Sequence, residues 1–187
     1  MLIFTIVSCS DDNNTTNNGE DLLEESFFEI TIEGEGTFSS KEAPVGSITS
    51  IAGAWFENPD FNTEKLTCVV VQNQDEFTAL SLDGIIMLQG GNVLEIGDAS
   101  EINNDSFPKT KLIVQLDNTT YLSKSGEISV SNLEIDPQPV PEFPGDASLA
   151  NYTMNFTGSF DIGETIDVEE SIEITGDIKV FSGSLNF

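Results

Sequence analysis

The clearest pattern in this chain is a strict alternation of apolar and polar residues near its C-terminus. Tyr152, Met154, Phe156, Gly158, Phe160 and Ile162 alternate with polar residues, and the same period returns at Ile172, Ile174, Gly176, Ile178 and Val180. A period of two is typical of half-buried strands. The two segments predict a hairpin centred on Asp167, which places Gly158 opposite Gly176 in a curved antiparallel sheet.

Similar but shorter patterns occur upstream. Phe28, Ile30 and Ile32 alternate with Glu29, Thr31 and Glu33, and a bend at residues 34–36 precedes Phe38. Further strands are predicted over residues 47–56, 65–72, 93–96, 110–116 and 126–135. The alternation slips between Val130 and Leu133, which indicates a β-bulge.

Turn signals separate these segments. Residues 57–60 and 90–92 and the pair Asp117-Asn118 predict turns, and residues 97–107 predict a loop. Asp83-Gly84, between apolar runs at 77–82 and 85–89, predicts a second hairpin. Four prolines in residues 136–145 predict an extended connector outside the sheet. The phase change at residues 181–187 predicts an edge or closing strand.

The pattern as a whole predicts eight to eleven strands, and no segment has a sustained helical period. The expected fold is all-β, an antiparallel β-sandwich. The alternative is an up-and-down, lipocalin-like β-barrel.

Composition narrows the classes of partner. The 187 residues carry a net charge of -27, with six lysines and no arginine. With 38% hydrophobic residues, including 13 Phe, the chain has enough apolar surface to fold. Such an acidic surface repels phosphate backbones, so we expect no nucleic-acid partner. Cations, neutral glycans and basic proteins remain possible partners.

Histidine and cysteine usage limits the chemistry. The chain has no histidine, which excludes Ser-His-Asp and Cys-His machinery and imidazole metal ligands. Cys68 lies in the apolar segment Thr67-Cys68-Val69-Val70-Val71 and is predicted to be a small core residue. We expect no disulfide framework and no cofactor.

The N-terminus carries a targeting pattern. A seven-residue apolar run, Met1 to Val7, is too short to span a bilayer and has the character of a signal-peptide core. Ile6-Val7-Ser8-Cys9 resembles the lipobox of bacterial lipoproteins. That resemblance implies cleavage before Cys9 and acylation of its thiol and new amine, and several acyl chains anchor a protein stably. No basic residue precedes the run. Either the natural leader begins further upstream, which the order of apolar run, small residue, cysteine and polar tether favours, or the apolar N-terminus arises by chance.

Ser10, Asp11 and Asp12 are similar to the acidic export signal that directs Bacteroidota lipoproteins to the outer face of the outer membrane. The resemblance implies a lipid-anchored, cell-surface location. The expected organisation is a signal-peptide remnant at residues 1–8, an anchored flexible tether at 9–26, and one β-domain at 27–187.

Candidate sites are few. Trp55 and Phe56 with Asp60 form an aromatic and polar group that suits a sugar ring, although a single Trp at a strand end is more often a core residue. Asp98, Ser100, Asn104 and Asp105 could surround calcium, but they match no calcium-loop spacing and are better explained as a solvated loop. The 33 acidic residues make chance carboxylate pairs unavoidable, so such pairs identify no hydrolase site.

The sequence thus favours a non-catalytic binding or accessory module on the cell surface, with a glycan or a surface protein as partner and no bound metal. Two alternatives stay open: a hydrolase that uses only Asp and Glu, and a structural or adhesive surface component.

Overall fold

The computed structural model describes residues 25–42, 47–58, 63–73, 79–88, 93–100, 109–139, 147–163 and 171–181. These residues contain ten strands and no helix. The strands are β1 Phe27–Ile32, β2 Gly36–Ser39, β3 Ile48–Asn58, β4 Thr63–Asn73, β5 Ala79–Met87, β6 Val93–Ile96, β7 Lys111–Leu116, β8 Thr119–Pro139, β9 Ala147–Ile162 and β10 Ser171–Val180.

All ten strands belong to one antiparallel sheet in the order β2-β1-β10-β9-β3-β4-β5-β7-β8-β6, with an additional pairing between β9 and β8. The long strand β9 pairs first with β3, through Ala147 to Leu149, and then with β10. Its other edge pairs with β8. The sheet therefore folds back on itself around one core in a sandwich-like arrangement, as the sequence predicts.

The core forms because apolar side chains recur at every second position along each strand. Each strand turns alternate apolar side chains inward, and their burial is the main term that favours folding. Along β9, Tyr152, Met154, Phe156 and Phe160 are all buried. One cluster joins these residues to Phe28 and Ile30 of β1, Leu66 and Val70 of β4, Leu80 and Leu82 of β5, Leu112 and Val114 of β7, and Ile174 and Ile178 of β10.

The C-terminal hairpin forms, but the predicted glycine pairing is wrong. Gly158 lies opposite Ile174, and Gly176 lies opposite Phe156, a register two residues away from the prediction. Gly158 instead faces Gly126 of β8. A Cβ on Gly176 would collide with the Phe156 ring. The aromatic ring therefore covers the glycine and fixes a register that hairpin symmetry alone does not reveal.

The predicted hairpin at Asp83-Gly84 is also wrong. Residues 79–87 form a single strand that pairs with β4 on one side and β7 on the other. Gly84 lies on the core side between Leu82 and Ile86, where an added Cβ would be 3.0 Å from Leu112 Cδ2. The glycine thus makes room for a close neighbour in a central strand.

Strand β8 extends beyond the prediction at both ends. The predicted bulge is confirmed, since the register shifts between Ser131 and Glu134 and Asn132 has a positive φ of 53°. A further shift separates Ser123 from Ser125. The proline-rich connector begins later than expected, because β8 continues to Pro139, which pairs with Ser148.

Some of the remaining sequence predictions concern described residues and can be compared with the structure. A turn occurs at Asp117-Asn118 as expected. Glu57 and Asn58 continue β3 instead of beginning a turn. Several predictions lie outside the described residues. They are the turn at 90–92, most of the loop at 97–107, the run after Phe181, the tether to residue 24, and the targeting residues Cys9, Ser10, Asp11 and Asp12.

Candidate binding face

The predicted aromatic pair does not form one platform, because Trp55 and Phe56 are neighbours on a strand and point to opposite sides of the sheet. Trp55 pairs with buried Leu66 and packs against the core. Its indole Nε1 is buried without a hydrogen-bond partner among the described residues. Phe56 points outward, with Lys65 Nζ 5.2 Å from its ring centre. Asp60 lies outside the described residues.

Phe56 belongs to a larger outward surface formed by β3, β4, β5, β7 and the start of β8. The register places its residues in four cross-strand rows, which together we call the apolar face. The rows are Ser50, Val71, Ser81, Gln115 and Thr120; Ala52, Val69, Asp83, Ile113 and Leu122; Ala54, Thr67, Ile85 and Lys111; and Phe56, Lys65 and Met87. Met87, at the end of the fourth row, is buried.

Aliphatic side chains lie exposed at the centre of the apolar face. The exposed fractions of Val69, Ile85 and Ile113 are 39%, 48% and 37%. Val69 and Ile113 flank Asp83 in one row, and Ile85 lies two residues further along β5. The only charged groups in the four rows are one carboxylate, Asp83, and two ammonium groups, Lys65 and Lys111. Their net charge is therefore +1, in a chain whose net charge is -27.

The outward surface of β1, β10, β9 and the middle of β8 has the opposite character, and we call it the polar face. Its rows are Phe27, Lys179, Thr153 and Ser131; Glu29, Asp177, Asn155 and Ser129; Thr31, Thr175, Thr157 and Glu127; and Glu173, Ser159 and Ser125. On these four strands the rows contain no aliphatic side chain, and on the edge strand β6 the second row continues to Val93, which is 60% exposed. Four carboxylates against one ammonium group give them a net charge of -3.

The difference between the two faces cannot come from the fold alone, since both are outward surfaces of the same sheet. An outward strand position in water is ordinarily filled by Thr, Ser, Asn or a charged residue, as on the polar face. A contiguous group of exposed aliphatic residues more often marks an interaction surface than a surface that stays exposed to water. The apolar face is therefore the candidate binding surface of this domain.

Of the residues suggested for calcium, Asp98 forms an ion pair with a lysine. Lys124 Nζ lies 2.8 Å from Asp98 Oδ2 and 3.2 Å from Asp161 Oδ2. Ser100 donates hydrogen bonds from its backbone N–H and its hydroxyl to Asp98 Oδ1. Asn104 and Asp105 lie outside the described residues. The ammonium group thus occupies the position between two carboxylates where a cation would otherwise bind.

These contacts set the pKa of the groups involved. Partial burial alone would raise the pKa of Asp98, but the hydrogen bonds from Lys124 and Ser100 outweigh it and lower that pKa below its ordinary value. Hydrogen bonds to Asp98 and Asp161 raise the pKa of Lys124. The group is a surface ion pair that ties the segment after β6 to β8 and β9.

Cys68 is a core residue, as predicted. It is fully buried opposite Gly53, and burial raises the pKa of its thiol to about 12. Tyr152 donates a hydrogen bond of 2.7 Å to the backbone carbonyl of Thr67, and burial raises the pKa of its phenol. A thiol with so high a pKa is a poor nucleophile at neutral pH.

Within the described ranges, no group of three or more His, Cys, Asp or Glu residues is placed to hold a metal ion. The same part of the chain contains no helix with the length and hydropathy needed to cross a bilayer.

The sequence signal for the apolar face was present but easily misread. Val69-Val70-Val71, Ile85-Ile86 and Leu112-Ile113-Val114 are apolar on both sides of their strands. Such runs are typical of strands buried on both faces, so they do not reveal which side of the strand remains open. Comparisons with family models, with curated proteins and with solved structures find no match for this chain.

Proposed function

We propose that this chain is a lipid-anchored surface lipoprotein whose β-domain is a non-catalytic module that binds a protein partner through the apolar face. The observation that carries the proposal is the contrast between the two outward surfaces of one sheet. One has exposed Val69, Ile85 and Ile113 together at its centre and a net charge of +1. The other has polar rows with a net charge of -3, and its apolar residues, Phe27 and Val93, lie apart from each other.

A protein is a better fit than a glycan for this face. Sugar rings bind to flat aromatic rings bordered by hydrogen-bonding groups, and Trp55 packs inward against the core. Phe56 is the only aromatic ring in the four rows, and Lys65 lies over it. The remaining apolar groups are short aliphatic side chains, which pack well against another apolar protein surface.

The proposed location depends on the N-terminal residues. The lipobox-like Ile6-Val7-Ser8-Cys9 and the acidic Ser10, Asp11 and Asp12 support an anchor at Cys9 on the outer membrane. A tether of about 17 residues has an end-to-end distance of roughly 20–25 Å, so the domain would reach partners close to the same membrane.

The anchor is tested by expressing the chain behind a complete lipoprotein leader in a Bacteroidota host that is fed a labelled fatty acid. Wild type should carry the label and fractionate with the outer membrane, and Cys9→Ala should lose both properties. Membrane association that is unchanged in Cys9→Ala would refute the anchor.

The binding surface is tested in the same cells with a photo-crosslinking amino acid at position 85 on the apolar face. Position 157 on the polar face is the matched control, since Thr157 is also exposed near the middle of a long strand. We expect a discrete protein adduct from position 85 and none from position 157. Equal adducts at both positions, or an adduct only at 157, would refute the role of the apolar face.

A further inference from the structure

We propose that the protein partner adds an extended segment of its own backbone, as a strand, to the unpaired edge of β3 that borders the apolar face. This inference rests on the proposed function, because it takes the apolar face as the binding surface and identifies how the partner is held there. We call residues 48–52 of β3 the open edge. A row of backbone N–H and C=O groups along a strand is satisfied by another extended backbone.

The open edge exists because β9 changes its partner. Residues Ala147 to Leu149 of β9 pair with residues 54–56 of β3, and from Tyr152 onward the same edge of β9 pairs with β10. On its other side β3 pairs with β4 along its whole length, from Ile48 to Asn58. Among the described residues, no strand pairs with the β9 side of residues 48–52. This half of β3 is therefore paired on one side only.

The hydrogen-bond pattern shows which backbone groups face the open edge. The backbone N–H of Leu88 donates to the carbonyl of Glu64, so Glu64 directs its backbone groups toward β5. Successive residues of an antiparallel strand direct these groups to opposite edges. The odd-numbered residues of β4 and their even-numbered partners in β3 therefore bond to each other. Thr49 and Ile51 direct their N–H and C=O groups the other way, toward the open edge.

Other strands with an unpaired edge carry features that hinder the addition of a strand. Strand β2 has four residues, and the carbonyl of Ser39 accepts a hydrogen bond from Gln72 Nε2. Strand β6 also has four residues, and Glu95 places a charge on it. The second half of β8 contains Pro137, Pro139 and a bulge. The open edge has no charged side chain, proline or bulge, and edges of this kind readily accept another strand.

The core is incomplete along the open edge. Thr49 and Ile51 lie on the core side of β3, yet Thr49 is exposed and Ile51 is only partly buried. Val70, which pairs with Ile51, is fully buried on β4, a strand with neighbours on both sides. The hydroxyl of Ser47, just before β3, is buried without a hydrogen-bond partner among the described residues. A strand added to β3 would cover these side chains and complete the core.

The side chains around the open edge define the chemistry of the partner segment. On the outer side, Ser50 and Ala52 begin two rows of the apolar face, and Ile48 beside them is 71% exposed. An added strand would continue these rows with its outward side chains and would pack its inward side chains against Ile51. The net charge of -27 repels acidic segments, including those of a second copy. The partner segment is therefore an apolar, neutral or basic run of about five residues from a different protein.

Amide hydrogen exchange in the free chain tests the open edge itself. In the full chain carrying Cys9→Ser, NMR should show rapid exchange at Thr49 and Ile51 and slow exchange at Ser50 and Ala52, which bond to β4. Equal exchange at all four positions would overturn the proposal. If all four were slow, the edge would already be covered, and if all four were fast, the strand would not be formed.

Strand addition is tested with a displayed library of random peptides of about ten residues, selected on the Cys9→Ser chain. Selected peptides should have apolar residues at alternate positions and should slow amide exchange at Thr49 and Ile51. Thr49→Pro removes an N–H from the open edge and no bond to β4, so it should weaken binding at least about ten-fold. Thr49→Ala keeps that N–H and should weaken binding less than about three-fold.

A second variant guards against a fold disturbed by proline. Thr49→Lys places an inward-pointing charge at the edge, which hinders strand addition, and Thr157→Lys adds the same charge to the polar face as the control. Circular dichroism and the thermal midpoint show whether each variant is folded. The proposal is overturned if no peptide slows exchange at Thr49 and Ile51, or if the selected peptides bind the folded Thr49 variants as tightly as wild type.

The crosslink in cells separates this inference from the proposed function. With the photo-crosslinking amino acid at position 85, Thr49→Pro should lose the protein adduct and Thr49→Ala should keep it. An adduct that persists in Thr49→Pro refutes strand addition and leaves the apolar face as the binding surface. A chain that gives no adduct from position 85 without any change at Thr49 contradicts the proposed function, and this inference with it.

Discussion

Gly176 and Phe156 provide the sharpest test of the described core. A Cβ added at Gly176 would collide with Cε1 of the Phe156 ring and would lie 2.6 Å from Cζ and 3.0 Å from Cδ1. All three of the nearest atoms belong to this one ring, which is 3% exposed and lies in contact with Phe160 at a centroid distance of 6.3 Å. The ring cannot move without disturbing the core around it.

Gly176→Ala should therefore destabilise the domain by about 2–3 kcal/mol, the usual cost of overpacking a closed core. Phe156→Ala should cost about 3–5 kcal/mol through lost burial and the cavity left behind. In the Phe156→Ala background the clash is gone, and Gly176→Ala should be neutral or slightly stabilising, because Ala loses less backbone entropy than Gly. The coupling free energy between the two substitutions should thus be at least about 2 kcal/mol.

Urea unfolding followed by circular dichroism measures these free energies in the single and double variants. Thr175→Ala is the matched control, since Thr175 is the adjacent residue on β10 and points outward, and it should change stability by less than about 1 kcal/mol. The reasoning is refuted if Gly176→Ala is harmless, or if it costs the same amount with and without the Phe156 ring.

Three further predictions follow from particular side chains. Trp55→Ala should destabilise the domain by about 2–4 kcal/mol because Trp55 packs on the core, whereas Phe56→Ala should cost less than about 1 kcal/mol. Similar losses of stability for the two variants in urea unfolding would contradict the placement of these side chains on opposite sides of β3. Cys68 should react with a thiol reagent at pH 8 only after denaturation, because it is buried and its thiol pKa is about 12; rapid labelling of the native Cys9→Ser chain would contradict this. The pKa of Asp98 is lower in the folded state than its ordinary value, so its ion pair stabilises fully above about pH 4 and loses this effect as the pH falls through the folded pKa. Asp98→Asn should remove the part of the acid dependence that comes from this ion pair and leave the remainder unchanged. The difference in free energy of unfolding between wild type and Asp98→Asn should therefore shrink from pH 6 to pH 2, and a constant difference would contradict the prediction.

Much of the fold follows from sequence because burial imposes a period of two wherever one side of a strand faces a core. The ranges of β1, β6, β7 and β10, the part of β9 from Tyr152 onward and the bulge in β8 are visible in that period, whereas the start of β9 at Ala147 is not. Register is harder, because it depends on which side chain fills the space above each glycine. The prediction that Gly158 faces Gly176 fails for this reason: Phe156 needs Gly176 as its partner, and Gly158 faces Gly126.

Local turn signals fail where long-range pairing is stronger. Asp83-Gly84 has the residues of a tight turn, yet both edges of β5 are occupied by β4 and β7 along its length. Breaking β5 at this point would leave the backbone groups of both neighbours unpaired. A single sequence does not show that pairing, and so it does not show the continuous strand.

The candidate site was only half predictable. Phe56 was identified, but its partners on the apolar face come from four other strands, and three of these are distant in sequence. The sequence shows that Val69, Ile85 and Ile113 are apolar, and only the order of strands in the sheet shows that they lie together on the outside. Trp55 was predicted as a ligand contact from its residue type alone. The direction of its side chain is set by its position on β3, where it pairs with Leu66.

The most direct test of the account is carbene footprinting with mass spectrometry, which labels exposed side chains, applied to the full chain in two states. One state is the dilute Cys9→Ser chain in solution, and the other is the wild-type chain in intact cells. The account predicts strong labelling of Val69, Ile85 and Ile113 in dilute solution and protection of these residues in cells, with Thr157 and Glu127 labelled equally in both. Equal labelling of the apolar face in both states, or protection of the polar face instead, would contradict it.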